Sequence, residues 1–114
     1  DLISVEDYHK LACKGSKMVV DMIHSKDRHV FIHICGNSHT IMDEVPEMSL
    51  DVFSVDHLVD RGRVKNDLDG KFALMGNVNP VATLWNGKPV SIKKEAKKTM
   101  DAVAPGGKFF LVPR

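Results

Sequence analysis

The sequence predicts an α/β fold built on a parallel sheet, and three observations carry that prediction. Four short apolar runs, Val30–Ile34, Val52–Val55, Phe72–Met75 and Phe109–Val112, have the length and the β-branched or aromatic character of buried strands. Between them, apolar residues recur at helical spacing, so helices and strands alternate. Turn chemistry at Asp69-Gly70, Asn86-Gly87 and Pro105-Gly106-Gly107 separates the segments. Alternation of this kind implies right-handed βαβ units. A doubly wound open sheet and part of a (β/α)8 barrel both satisfy it. A whole barrel takes about 250 residues and eight strands, whereas four strands are legible in these 114 residues.

Each element has its own warrant. Ser4 followed by Asp7 has the capping-box spacing, and a first helix is expected from Val5 to Lys26 with Tyr8, Leu11, Ala12, Val19, Met22 and Ile23 inward. Gly15 weakens its middle. After the first strand, Ser38–Met48 reads as a shorter helix with Ile41, Met42, Val45 and Met48 inward and Pro46 as a break. The second strand is followed by an expected helix from His57 to Leu68. The third runs on into Gly76-Asn77-Val78-Asn79-Pro80 and a short helix over Val81–Trp85, in which Trp85 is expected to pack. Pro89 suits the first turn of a longer helix with Ile92, Ala96, Met100 and Val103 on one face. The fourth strand closes the chain.

Composition narrows the function classes. Hydrophobic residues are 43%, charged residues 27% and the net charge +1, as in an ordinary globular domain. Nothing in that balance points to nucleic acid or an acidic membrane. Lys93, Lys94, Lys97 and Lys98 read as the wet face of a helix. No apolar run reaches the roughly 18 residues of a membrane span, and no signal peptide is visible. Two cysteines, Cys13 and Cys35, make no disulfide framework, so a reducing cytoplasm is the expected setting. No GxGxxG, P-loop or Gly-x-Ser-x-Gly is present, so nucleotide binding and serine hydrolysis have no support.

The chemistry concentrates in His33-Ile34-Cys35-Gly36-Asn37. Side chains alternate along a strand, so His33 and Cys35 point to one face, above Phe31. They stand at the strand's C-terminal end, where α/β folds place their sites. An imidazole and a thiolate two residues apart suit a borderline-soft ion such as zinc, and Gly36 lets the backbone turn sharply. Against this, a buried cysteine is often a small hydrophobe and a histidine often a satisfied core residue. Two ligands also fall short of the three that a catalytic zinc takes from protein. Asp56 ends the second strand and either orients a ligand or substrate or caps the next helix. Asn77 and Asn79 either present amides to a substrate or build the βα turn. His57 lies near the same rim, while His9, His24, His29 and His39 read as surface or helix-end residues.

His33-Ile34-Cys35-Gly36-Asn37, Asp51-Val52-Phe53-Ser54-Val55-Asp56 and Gly76-Asn77-Val78-Asn79-Pro80, in this order, resemble the uroporphyrinogen decarboxylase superfamily over nearly the whole chain. The His-x-Cys-Gly-Asn element is similar to its methyltransferase branch, which passes a methyl group from a corrinoid protein to coenzyme M. The resemblance implies a TIM (β/α)8 barrel of which residues 1–114 are about the C-terminal half. It implies zinc held by His33 and Cys35 and by a third ligand, a cysteine just after the last strand, beyond Arg114. Cys13, mid-helix, is a poor substitute. Asp56 and Asn77 are the candidate catalytic residues. The implied activity is methyl transfer from a corrinoid protein to a thiol such as coenzyme M or a similar acceptor. The alternatives are a metal-free porphyrinogen decarboxylase and an inert segment that retains only docking surface. Four strands of a barrel leave open edges and an uncovered apolar face, so self-association is expected of this piece alone.

Overall fold

The structure is a computed structural model and describes residues 3–68 and 70–113. Asp69, of the expected Asp69-Gly70 turn, lies outside the described residues; Gly70 takes a left-handed φ of 74°. The helix α1 begins with a turn at Val5–Asp7, widens into π-helical turns at Tyr8–Cys13 and continues as regular α-helix over Lys14–His24. Strand β1 is Phe31–Ile34, β2 Val52–Val55, β3 Ala73–Val78 and β4 Phe109–Pro113. Helix α2 spans Arg61–Asp67 and α3 Pro89–Val103.

The four strands are parallel and lie in the order β1-β2-β3-β4. Every crossover therefore moves one strand along in the same direction. A doubly wound sheet reverses at a switch point; this one does not, and the two topologies left open by the alternation are separated. The fold is part of a (β/α)8 barrel. Packing agrees with the strand order. Phe53, Val55 and Leu74 face Val20, Val45, Met48, Val64, Leu68 and Val103, and all of these are buried. Phe53 meets Phe72 edge to face, with ring centroids 6.1 Å apart. By strand alternation and register, Phe31, His33, Ser54, Met75 and Phe110 share the other face, where Phe31 and Phe110 are exposed.

Ser4 caps α1 as its spacing predicts: its hydroxyl accepts from the N–H of Asp7 at 3.0 Å. The inward face of the helix differs from expectation. Leu11, Val19 and Met22 are exposed, whereas Cys13 and Val20 are buried. A π turn spaces contacts by five residues rather than four, so the seam that starts at Tyr8 passes to Cys13 instead of Ala12. In α3, likewise, Thr99 and not Met100 lies against the core, and its hydroxyl bonds back to the Glu95 carbonyl.

Three further expectations change. The helix expected over Ser38–Met48 is two 3-10 turns, Ser38–Ile41 and Val45–Met48, although Ile41, Met42, Val45 and Met48 are all buried. Pro46 has no N–H to continue a helix. The helix expected from His57 starts only at Arg61, because Asp60 rather than Asp56 caps it, accepting from the Arg63 N–H at 2.8 Å. The turn Pro80–Trp85 is π-helical and leaves Trp85 86% exposed, so that side chain does not pack.

Candidate functional site

The strand ends assemble the site. β1 stops at Ile34, and Gly36, at φ 81°, turns the chain outward immediately after Cys35. β2 stops at Val55, so Asp56 stands beside that turn. Ligand atoms of His33, Cys35 and Asp56 all lie within 4.8 Å of one another. An imidazole nitrogen, a thiol sulfur and a carboxylate oxygen are the donor types that zinc takes from proteins, and three such donors with an open position are the catalytic arrangement. The residues present therefore fit the metal that the sequence implies. Cys35 is exposed and free, whereas Cys13 is buried with its sulfur 3.7 Å from the Glu44 carbonyl.

Two of the three side chains are held from behind. His33 Nδ1 lies 3.1 Å from the Ser54 carbonyl oxygen and 3.0 Å from the Ser54 hydroxyl, which leaves Nε2 directed elsewhere. Burial disfavours the charged form of Asp56. The N–H groups of Leu58 and Gly36 and the nearby His57 and His33 outweigh that, and the carboxyl sits below its ordinary value. It is an anion at neutral pH. Asp56 Oδ1 accepts from the Leu58 N–H at 3.0 Å and lies 2.9 Å from His57 Nδ1, in a turn rather than a helix cap.

Asn77 reaches this loop from below. It is 1% exposed, and its amide donates to the carbonyls of Asp56 at 3.0 Å and Val59 at 3.1 Å. Both donor hydrogens are thereby directed at the loop. Asn79 builds the βα turn, its side-chain oxygen accepting from Val81 and Ala82. Gly76, on β3 against the end of β2, has φ 147°, and a Cβ there would lie 2.8 Å from the Val55 carbonyl oxygen.

Several side-chain contacts depend on the fold and not on local sequence pattern. Ser54 is a lone hydroxyl in an apolar strand, which is a signal, but its pairing with His33 depends on register. His39 braces two rim loops, its Nε2 accepting from the Asp60 N–H at 3.0 Å. His24 and His29 both reach Asp51, and His9 pairs with Glu44.

A barrel segment with a cluster of possible ligand side chains on its C-terminal rim describes a class of enzyme scaffold. A family model for uroporphyrinogen decarboxylase (URO-D) matches residues 1–113, and the chain belongs to that family. It is 35% identical over 106 residues to the methylcobamide:CoM methyltransferase MtbA of Methanosarcina mazei, a match covering 90% of this chain and 30% of that relative. It is 26% identical over 99 residues to a uroporphyrinogen decarboxylase of Chloroherpeton thalassium, covering 86% of this chain and 28% of that one. Among solved structures, a methyltransferase from Methanosarcina mazei superposes with a TM-score of 0.82 at 23% identity, over 97% of this chain and 32% of that chain. The chain thus spans about 30% of the length of the relatives it matches, a smaller share than the half that four strands of eight suggest. Among the described residues, no helix is long and apolar enough to cross a membrane.

Proposed function

We propose that this chain carries the metal-binding rim of a methyltransferase that moves a methyl group from a corrinoid protein to a thiol such as coenzyme M. The observation that carries the reading is the convergence of His33, Cys35 and Asp56 at neighbouring strand ends. The relatives named methyltransferases support it.

His33, through Nε2, and Cys35 would hold zinc, with Asp56 as a third donor from this chain. The resemblance implies a cysteine beyond Arg114 in that third place instead, and with either donor three protein ligands would leave the fourth position open to the thiol. Bound there, the ion supplies a Lewis acid that brings the ionisation of an acceptor thiol toward neutral pH. The chain's own residues prepare that site. Ser54 holds the His33 ring, the Gly36 and Leu58 amides hold Asp56 as an anion, and Asn77 fixes the loop that carries it. Asn77 acts as a positioning residue in this reading, since its amide is engaged by the loop carbonyls. The methyl group and its cobalt belong to the partner protein, and the cytoplasm is the setting that free Cys13 and Cys35 favour.

The test uses the full-length protein. Wild type should bind about one zinc per chain and methylate the thiol at pH 7, and His33→Ala and Cys35→Ser should each lower both. Part of the lost transfer should return at alkaline pH, where a thiol of pKa about 8.5 ionises unaided. Full zinc and full neutral-pH activity in Cys35→Ser would overturn the reading. A metal-free protein that decarboxylates a porphyrinogen would favour the alternative.

A further inference from the structure

We infer that Ser54 is a positioning residue that selects the tautomer through which His33 meets its ligand. The inference deepens the proposed function, because it concerns the ring nitrogen that a metal would take. His33 and Ser54 are register partners on adjacent parallel strands, so their side chains stand side by side on one face of the sheet. Ser54 is fully buried. His33 Nδ1 lies 3.1 Å from the Ser54 main-chain oxygen and 3.0 Å from its hydroxyl oxygen.

The two oxygens are not equivalent in what they permit. A carbonyl oxygen only accepts, so the contact is attractive only when Nδ1 carries the hydrogen. The hydroxyl can turn to accept from the same N–H, which makes a three-centre bond. With the hydrogen on Nδ1, the neutral ring keeps its lone pair on Nε2, the free side of the imidazole. The opposite tautomer would set the Nδ1 lone pair against the carbonyl and leave only a hydroxyl donor to offset it. Because Ser54 is sealed from water, no solvent can substitute for the lost bond. Partners of this kind fix ring orientation and raise ligand basicity, and their loss weakens metal binding by roughly 10- to 100-fold.

The experiment uses the full-length protein with 15N-labelled histidine at a pH where the ring is neutral. The tautomer of His33 is read from two-bond nitrogen–proton couplings in metal-free samples, and zinc affinity from competition with a chromophoric chelator. In wild type, His33 should carry its hydrogen on Nδ1. Ser54→Ala keeps the carbonyl, and with it the Nδ1–H tautomer, but removes the second acceptor that holds the ring; it should weaken zinc binding about tenfold. Ser54→Thr restores the hydroxyl and should restore the affinity, which a purely volumetric role for Ser54 would not do. An Nε2–H tautomer in wild type, or an unchanged zinc affinity in folded Ser54→Ala, would overturn the inference. A wild-type protein with the Nδ1–H tautomer that takes up no zinc would support the tautomer set by Ser54 while removing the metal-site reading.

Discussion

Replacing Asp51 by asparagine should destabilise the protein at neutral pH and make its stability less sensitive to acid. Asp51 opens the turn into β2 and gathers three donors there: the Val30 N–H at 2.7 Å, His24 Nε2 at 2.9 Å and His29 Nδ1 at 3.1 Å. The Val30 amide above all, then His24, outweigh the burial that opposes them, and with His29 they hold the carboxyl down at about 2, against an ordinary 3.8. A carboxyl with a lowered folded-state pKa favours the fold above its unfolded value and loses that contribution as pH falls toward the folded one. The window here runs from about pH 4 down to about pH 2. In a shielded group such a depression would be worth about 2–3 kcal/mol. Asp51 keeps 32% of its side chain in water, and screening reduces the figure to about 1 kcal/mol. The substituted carboxamide can still accept from Val30 but carries no charge, so a loss of about 1–2 kcal/mol at pH 7 is expected. Urea unfolding followed by circular dichroism at about pH 7, 5, 4, 3 and 2, through the window, measures it. The gap between wild type and Asp51→Asn should shrink below about pH 4. A gap that stays constant or widens between about pH 4 and about pH 2 would show that Asp51 does not stabilise the fold through its charge.

The remaining predictions concern the rim and the sheet. Gly76→Ala places a Cβ 2.8 Å from the Val55 carbonyl oxygen at φ 147°; it should cost about 2–4 kcal/mol, and an unchanged melting temperature would contradict it. Asn77→Ala removes the donors of the Asp56 and Val59 carbonyls. It should cost about 2–3 kcal/mol and speed amide exchange at Leu58 and Val59, whereas unaltered exchange would separate Asn77 from the loop. The 114-residue chain alone exposes Phe31 and Phe110 on one sheet face. It should sediment as a dimer or larger species, and a clean monomer at high concentration would count against that expectation.

The parallel sheet was legible because its four strands are apolar runs of strand length, and their bounds agree with the structure to within a residue or a few. What sequence left open was strand order, since alternation is the same in a barrel and a doubly wound sheet; order is a property of long-range pairing. The misphased face of α1 has a local cause, a π turn at Tyr8–Cys13 that no 3.6-residue template includes. In the Ser38–Met48 segment the apolar spacing correctly marked the buried residues, yet 3-10 turns bury the same positions. At the site, His33 and Cys35 were legible from two-residue alternation. Asp56 was legible as a strand-end carboxylate, but its approach to both required the β1–β2 register. The amide of Asn77 could not be read as directed at a loop, because its acceptors are carbonyls 18 and 21 residues away.

The proposal rests above all on the His33, Cys35 and Asp56 cluster taking a metal. X-ray absorption at the zinc edge of the zinc-loaded full-length protein tests this most directly. Sulfur scattering at about 2.3 Å together with imidazole nitrogen at about 2.0–2.1 Å is expected, with one sulfur fewer in Cys35→Ser and the imidazole signal lost in His33→Ala. A spectrum of zinc bound only by oxygen, or one unchanged by both substitutions, would contradict it.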